Sequence, residues 1–239
     1  MIRTLYKNMP STTRDNLLDR ARELFNERGL EAVGVRDLAR DLGLSPGNVS
    51  YWFAKKQDLV EALMEQLAER NARTVRDLGD AADLADLLAR HRETFVAQYD
   101  YRFLGRAVVH LLETYPDLAA RYRATEIERR RGLTTALSAM VGHDLRADTD
   151  ERTLARIVAT FTLTARFWLG EVRLSFDDAA PDRVIDHYLA VLAHALWPPA
   201  TPRGRRSLSP FLDGVLTAET LGRHDAAGAV PQRSSTSGP

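Results

Sequence analysis

The chain has 239 residues, 44% hydrophobic and 28% charged, with 33 Lys and Arg against 33 Asp and Glu. That is the composition of a soluble globular protein of one large or two modest domains, and its neutrality excludes an overall basic coat while allowing a local basic surface. No cysteine is present, which excludes disulfides, thiolate metal sites and a cysteine nucleophile; with no run of about 18 uncharged apolar residues and no signal pattern in "MIRTLYKNMP", a cytoplasmic location is expected.

Residues 1–10 read as a flexible arm, where Arg3 and Lys7 supply charge. From residue 11 the periodicity is helical. In "TTRDNLLDRARELFNERG", Leu17, Leu18, Ala21, Leu24 and Phe25 recur at three- and four-residue spacings, and Gly29 ends the helix. In "GVRDLARDLG" the stripe is Val35, Leu38, Ala39 and Leu42, with Gly34 at an N-cap to which it brings no side-chain oxygen. A third helix begins at Ser45, a good N-cap, followed by Pro46, whose missing N–H is harmless in a first turn. Two such helices joined by the short Gly43-Leu44 turn form a helix-turn-helix pattern.

Val49 and Phe53, four apart, face the core with Leu38 and Leu42. Gly47, Asn48, Ser50, Tyr51 and Trp52 lie around the rest of the short helix and are not needed to close so small a core. A helix of this size fits the DNA major groove. There Asn48 suits bidentate pairing with adenine, Tyr51 a phosphate or thymine methyl, and Gly47 a close backbone approach. Arg36, Lys55 and Lys56 add phosphate-binding charge, the lysines beside a helix N-terminus that itself favours anions. The alternative for Tyr51 and Trp52 is packing on the first or fourth helix.

The order of "LLDRARELFNERGLEAVGVRDLARDLGLSPGNVSYWFAKKQDLVEAL" resembles the N-terminal DNA-binding domain of the TetR/AcrR family of bacterial transcriptional regulators, from Ser11 to about Leu63. The resemblance implies that Lys56 is the phosphate-contacting lysine opening helix four, and that Asn48, Ser50 and Tyr51 belong to the recognition helix. It also departs from the family. Tyr is frequent where this chain has Ser50, His where it has Trp52, and Thr or Ser where it has Gly34.

A helix from Gln57 to a break at Gly79-Asp80 links the two parts. Beyond it, "ADLADLLARHRETFVAQY", "YRFLGRAVVHLLETY", "DLAARYRATEIERRRGLTTALSAMVG", "ERTLARIVATFTLTARFWLGEVRL" and "PDRVIDHYLAVLAHALW" give five further helices, eight or nine in all. "YRFLGRAVVHLLETYPDLAARYRA", followed by a tryptophan-bearing apolar helix, resembles the C-terminal region of one TetR subfamily. The expected fold is all-α: a three-helix helix-turn-helix domain over residues 11–56, and a helical effector-binding and dimerisation domain over 57–197. The Pro/Ser/Gly-rich stretch 198–239 reads as a disordered tail with a short helix between Ser209 and Leu221.

The last two long helices carry Leu154, Ile157, Val158, Phe161, Leu163, Phe167, Trp168 and Leu169 on more than one side. They therefore need partners on more than one side: either intramolecular core alone, or also the same helices of a second subunit in a two-fold homodimer. The family implies the dimer, and with it a palindromic double-stranded DNA operator. Polar residues among apolar ones suggest a small-molecule cavity lined by Phe103, Arg106, His110, Tyr122, Phe161, Arg166 and Trp168, each of which also has an ordinary core or surface reading. His187 and His194 lack a third ligand for a metal, and Arg129, Arg130 and Arg131 read as an exposed charged turn. No phosphate loop, paired-histidine metal motif or nucleophile elbow occurs, so no enzyme, cofactor or metal is expected. Together these features describe a one-component regulator, most often a repressor in this family, released from its operator by a small molecule. The rival is a helical protein-interaction regulator that has lost sequence-specific DNA binding.

Overall fold

The structure, a computed structural model, describes residues 13–176 and 179–216. Arg3 and Lys7 in the expected arm, and the expected tail beyond residue 216, lie outside the described residues. Eleven α-helices follow one another among those residues. They are α1 (Thr13–Arg28), α2 (Val35–Asp41), α3 (Pro46–Trp52), α4 (Lys56–Asp77), α5 (Leu84–Asp100), α6 (Arg102–Arg106), α7 (Val108–Thr114), α8 (Pro116–Ala139), α9 (Glu151–Ser175), α10 (Pro181–Leu196) and α11 (Pro202–Leu212). A 3-10 turn, Leu78–Asp80, separates α4 from the segment leading to α5.

Helix ends follow local chemistry. Gly29 and Gly43 take φ of 85° and 67°, the left-handed region where a Cβ is strained, and so close α1 and the α2–α3 turn. Gly34 has no capping side chain, but the Asp37 carboxylate accepts from the Gly34 N–H at 2.9 Å. That bond is the main cause holding the Asp37 pKa below the usual carboxylate range. One half of a capping box thus replaces the missing hydroxyl.

Leu17, Leu18, Ala21, Leu24 and Phe25 of α1 bury against Leu38, Ala39, Val49, Phe53, Leu59, Val60 and Leu63. This cluster does not stop at the expected boundary at residue 57. It continues through α4 into Tyr101, Phe103, Leu104, Leu111 and Leu118. Phe25 and Phe103 have ring centroids 5.1 Å apart. Asn26 Nδ2 donates to the Asp100 carbonyl at 2.8 Å, while its Oδ1 accepts from the Phe103 N–H at 3.1 Å.

The single helix expected over "YRFLGRAVVHLLETY" is broken at Ala107, which ends α6 and caps α7. Gly105 weakens the helix at this point, and α6 uses it to approach α9. A Cβ there would lie 2.5 Å from Leu169 Cδ1.

A second core joins α5, α8, α9 and α10 around Leu87, Phe95, Leu137, Phe161, Trp168 and Leu189. Trp168 Nε1–H donates to Gln98 Oε1 at 2.7 Å, satisfying the indole in its apolar setting. His91 is also buried here, edge-on to Phe161 at 4.8 Å. Its Nδ1 lies 2.9 Å from the Leu87 carbonyl, which can only accept, so the neutral ring carries its proton on Nδ1. Burial holds the His91 pKa down to about 4, from an ordinary 6.5.

The expectation of a disordered tail from residue 198 is overturned for its first part. Thr201 caps α11 by accepting from the Gly204 N–H at 3.1 Å, and its own N–H donates to the Asp144 carbonyl at 2.8 Å. Leu208 is fully buried and Arg205 lies over the Trp197 ring at 5.2 Å. The short amphipathic pattern of Pro202–Leu212 thus outweighs its proline and serine content. The helix also begins and ends earlier than the expected Ser209–Leu221 segment.

Two stability predictions follow from these contacts. A Cβ on Gly204 would lie 2.1 Å from the Asp144 carbonyl oxygen, so Gly204→Ala should cost about 2 kcal/mol or more; an unchanged thermal midpoint would refute the packing of α11. Between pH 6.5 and about 4 the unfolded chain binds a proton at His91 that the folded chain refuses. The stabilisation from neutral His91 is complete above that window and is lost as pH falls through it, by about 3 kcal/mol in all. Urea titrations in pH steps should show this slope in the parent protein and a shallower one in His91→Leu.

Candidate functional site

The buried Val49 anchors α3 to the core, so the remaining residues of this short helix turn outward. Ser45 Oγ accepts from the Asn48 N–H at 3.3 Å, and Pro46 occupies the first turn. Pro46, Gly47, Asn48 and Ser50 are exposed with Ser45. Tyr51 is 81% exposed and Trp52 43%, which argues against either being closed into the core. The two rings meet edge to face at 5.2 Å, so Trp52 braces Tyr51.

Arg36 on α2 and Lys55 before α4 are exposed. Lys56 is differently placed: its Nζ donates to the Leu30 carbonyl at 3.0 Å and lies 3.7 Å from Glu31. The ammonium thus pins the α1–α2 connection. The N-terminus of α4 is also partly occupied, because the Asp58 carboxylate accepts from the Lys55 N–H at 2.9 Å. Periodicity could not reveal either contact, since each depends on a neighbouring turn.

A cavity of about 300 Å³ lies among α4 to α9. Its apolar wall includes Met64, Leu67, Leu104, Leu111, Leu118 and Leu169, and its polar groups include Asn71, Gln98, Tyr122, Arg129 and Arg166. Of the seven residues expected to line a cavity, Tyr122 and Arg166 do so. The other five lie elsewhere. Phe103 is in the first core against Phe25, and Trp168 is in the second against Phe95 at 4.9 Å. Phe161 packs on His91 and borders only a small adjoining recess. Arg106 and His110 are exposed, the latter 3.7 Å from Glu31. Their four-residue spacing implied one continuous helix, which the break at Ala107 removes.

Sequence periodicity missed the α4 contribution because that helix read as a linker. The signal was present in Asn71, a polar residue in line with Met64, Leu67 and Ala68 at helical spacing. Arg129 carries no local sequence signal that distinguishes it from its exposed neighbours Arg130 and Arg131. It turns inward and donates through Nη1 to Glu126 Oε1, while Arg166 Nη2 donates to Glu126 Oε2 at 2.7 Å.

His187 and His194 have separate roles. His187 Nδ1 accepts from the Leu216 N–H at 3.0 Å, and His194 Nδ1–H donates to the Ala190 carbonyl at 2.8 Å. Among the described residues, no group of three or more His, Asp or Glu is arranged to hold a metal ion.

Two family models match the chain. One, described as bacterial regulatory proteins of the tetR family, covers residues 17–63; the other, described as a bacterial transcriptional repressor, covers 58–208. The chain is 32% identical over 127 residues to the HTH-type transcriptional repressor AcnR of Corynebacterium diphtheriae, a match taking 53% of this chain and 62% of the relative. It is 32% identical over 90 residues to the HTH-type transcriptional repressor KstR2 of Mycobacterium tuberculosis, covering 38% and 44%. The matched stretches thus span less than two thirds of these relatives. Among solved structures, a TetR-family transcriptional regulator from Marinobacter aquaeolei superposes with a TM-score of 0.76 at 20% identity, over 86% of this chain and 100% of that one. The ketosteroid transcriptional regulator KstR2 of Mycobacterium tuberculosis superposes with a TM-score of 0.57 at 21% identity, over 81% and 97%. At these identities the likeness is one of fold.

Proposed function

The chain belongs to the TetR family of bacterial transcriptional regulators, and on that premise we propose that it is a repressor that binds a palindromic operator as a homodimer and is released by a small molecule. The observation carrying the proposal is the outward face of α3: a helix anchored through Val49 that leaves Asn48, Ser50 and Tyr51 in solvent. Asn48 and Tyr51 read base edges in this proposal, while Arg36 and Lys55 meet phosphates. Lys56 supports the surface through Leu30. Ser45, Pro46 and Gly47 bring the start of α3 close to the DNA backbone, and Trp52 holds Tyr51 in place.

Dimerisation is assigned chiefly to α9. Leu163, Phe167 and Leu174 are 56%, 44% and 86% exposed and recur at helical spacing along its outer side. The apolar face of α10 is already covered by α5, α9 and α11, so α10 contributes its remaining outer side. The cavity is the proposed effector site. Leu104 and Gly105 of α6 line it, and α6 also touches α1, which provides a physical route from ligand to DNA-binding helices.

Selection from a random DNA pool should enrich a palindrome whose half-sites lie about 34 to 36 Å apart. Asn48→Ala/Tyr51→Ala should lose about tenfold or more in affinity for it. Weak, salt-labile binding without a consensus, equal in parent and variant, would leave only phosphate attraction and favour the protein-interaction alternative. Phe167→Asp should shift the protein toward monomer in sedimentation and weaken operator binding with it. An unchanged mass would remove α9 from the interface.

A further inference from the structure

We propose that the cavity takes an amphipathic monoanion, a carboxylate or comparable singly charged acid on an apolar body, whose charge is met by Arg129 and Arg166. This inference rests on the reading of the cavity as the effector site, and adds the chemical class of the effector. Arg129 and Arg166 share one carboxylate, that of Glu126, which accepts a hydrogen bond from each on separate oxygens. Two cations against one anion leave one positive charge uncompensated. The Nε atoms of both arginines are buried and have no hydrogen-bond partner. A buried charged N–H without an acceptor is costly, so Glu126 alone leaves the donors of this pair incompletely met.

The surrounding charges do not alter the balance. Glu65 and Arg121 face each other at 3.9 Å on the exposed rim and cancel. His91, in the adjoining recess, is neutral at pH 7. Arg130 is exposed to solvent. Gln98 already accepts from Trp168. A neutral ligand would leave the excess charge uncompensated, and a cation would add to it. At about 300 Å³ the space lies at the lower end for small-molecule sites, and its leucine-rich wall suits a single apolar tail.

Decanoate, decanol and decylamine present the same tail with three different charges. Calorimetric titration of each into the full chain tests the proposal. Decanoate should bind about tenfold or more tightly than decanol, and decylamine should not bind measurably. Arg166→Met should lower decanoate affinity about tenfold and leave decanol unchanged. Glu126→Gln, which keeps an acceptor but removes the competing charge, should tighten decanoate. A purely structural trio would instead weaken decanoate and decanol alike in both variants, and that pattern overturns the proposal. Equal binding of decanoate and decanol to the parent protein overturns the charge inference while leaving the cavity reading intact. Failure of all three to bind overturns both.

Discussion

Asn26 reaches from α1 to both sides of the α5–α6 corner, accepting from the Phe103 N–H and donating to the Asp100 carbonyl. A helix start leaves N–H groups without internal acceptors and a helix end leaves carbonyls without donors. One side-chain amide serves both needs across a chain separation of more than seventy residues. The contact is reinforced by Phe25 on Phe103 and by Arg22 over the Tyr101 ring at 5.2 Å. Because α6 is only five residues long, it has little intrinsic stability. Its place depends on this seam and on α9, so the same contacts define α6 and join the N-terminal helices to the rest.

α9 answers three environments at once. Phe161 and Trp168 fill the core against α5, Ala165, Arg166 and Leu169 turn toward the cavity, and Leu163, Phe167 and Leu174 face outward. Such a division is possible only on a helix with little polar circumference, and it explains why the segment is rich in apolar residues on several sides. The cation on its cavity side sits beside Tyr122 and Phe167, with Arg166 6.0 Å from each ring. Aromatic faces thus accompany a guanidinium that water would otherwise solvate.

The helical class and the three-helix pattern near the N-terminus were legible because each local signal agreed. Gly29 and Gly43 sit where the chain needs positive φ, Ser45 caps, and Val49 and Phe53 fall on the buried side. The outer face of α3 was legible by subtraction, since its core needed so few residues. The cavity was not. Its walls come from helices distant in sequence, and a residue's choice between core, cavity and solvent depends on how those helices cross. Phe161 and Trp168 illustrate this, being aromatic and close to Arg166 in sequence yet directed to a different layer. The break at Ala107 and the order of α11 share a cause. Gly105 is explained by Leu169, and Gly204 by the Asp144 carbonyl, neither of which is a local feature.

α4 extends from the buried Leu59, Val60 and Leu63 of the first core past Met64, Leu67 and Asn71 at the cavity wall. With 22 residues it is about 33 Å long at about 1.5 Å per residue. A rod of that length acts as a lever. A change of about 5° in its tilt carries one end about 3 Å relative to the other, close to the spacing of about 3.4 Å between successive bases along a DNA strand. A tilt of α4 about its far end would therefore shift the α3 surface by a distance on the scale of one base step.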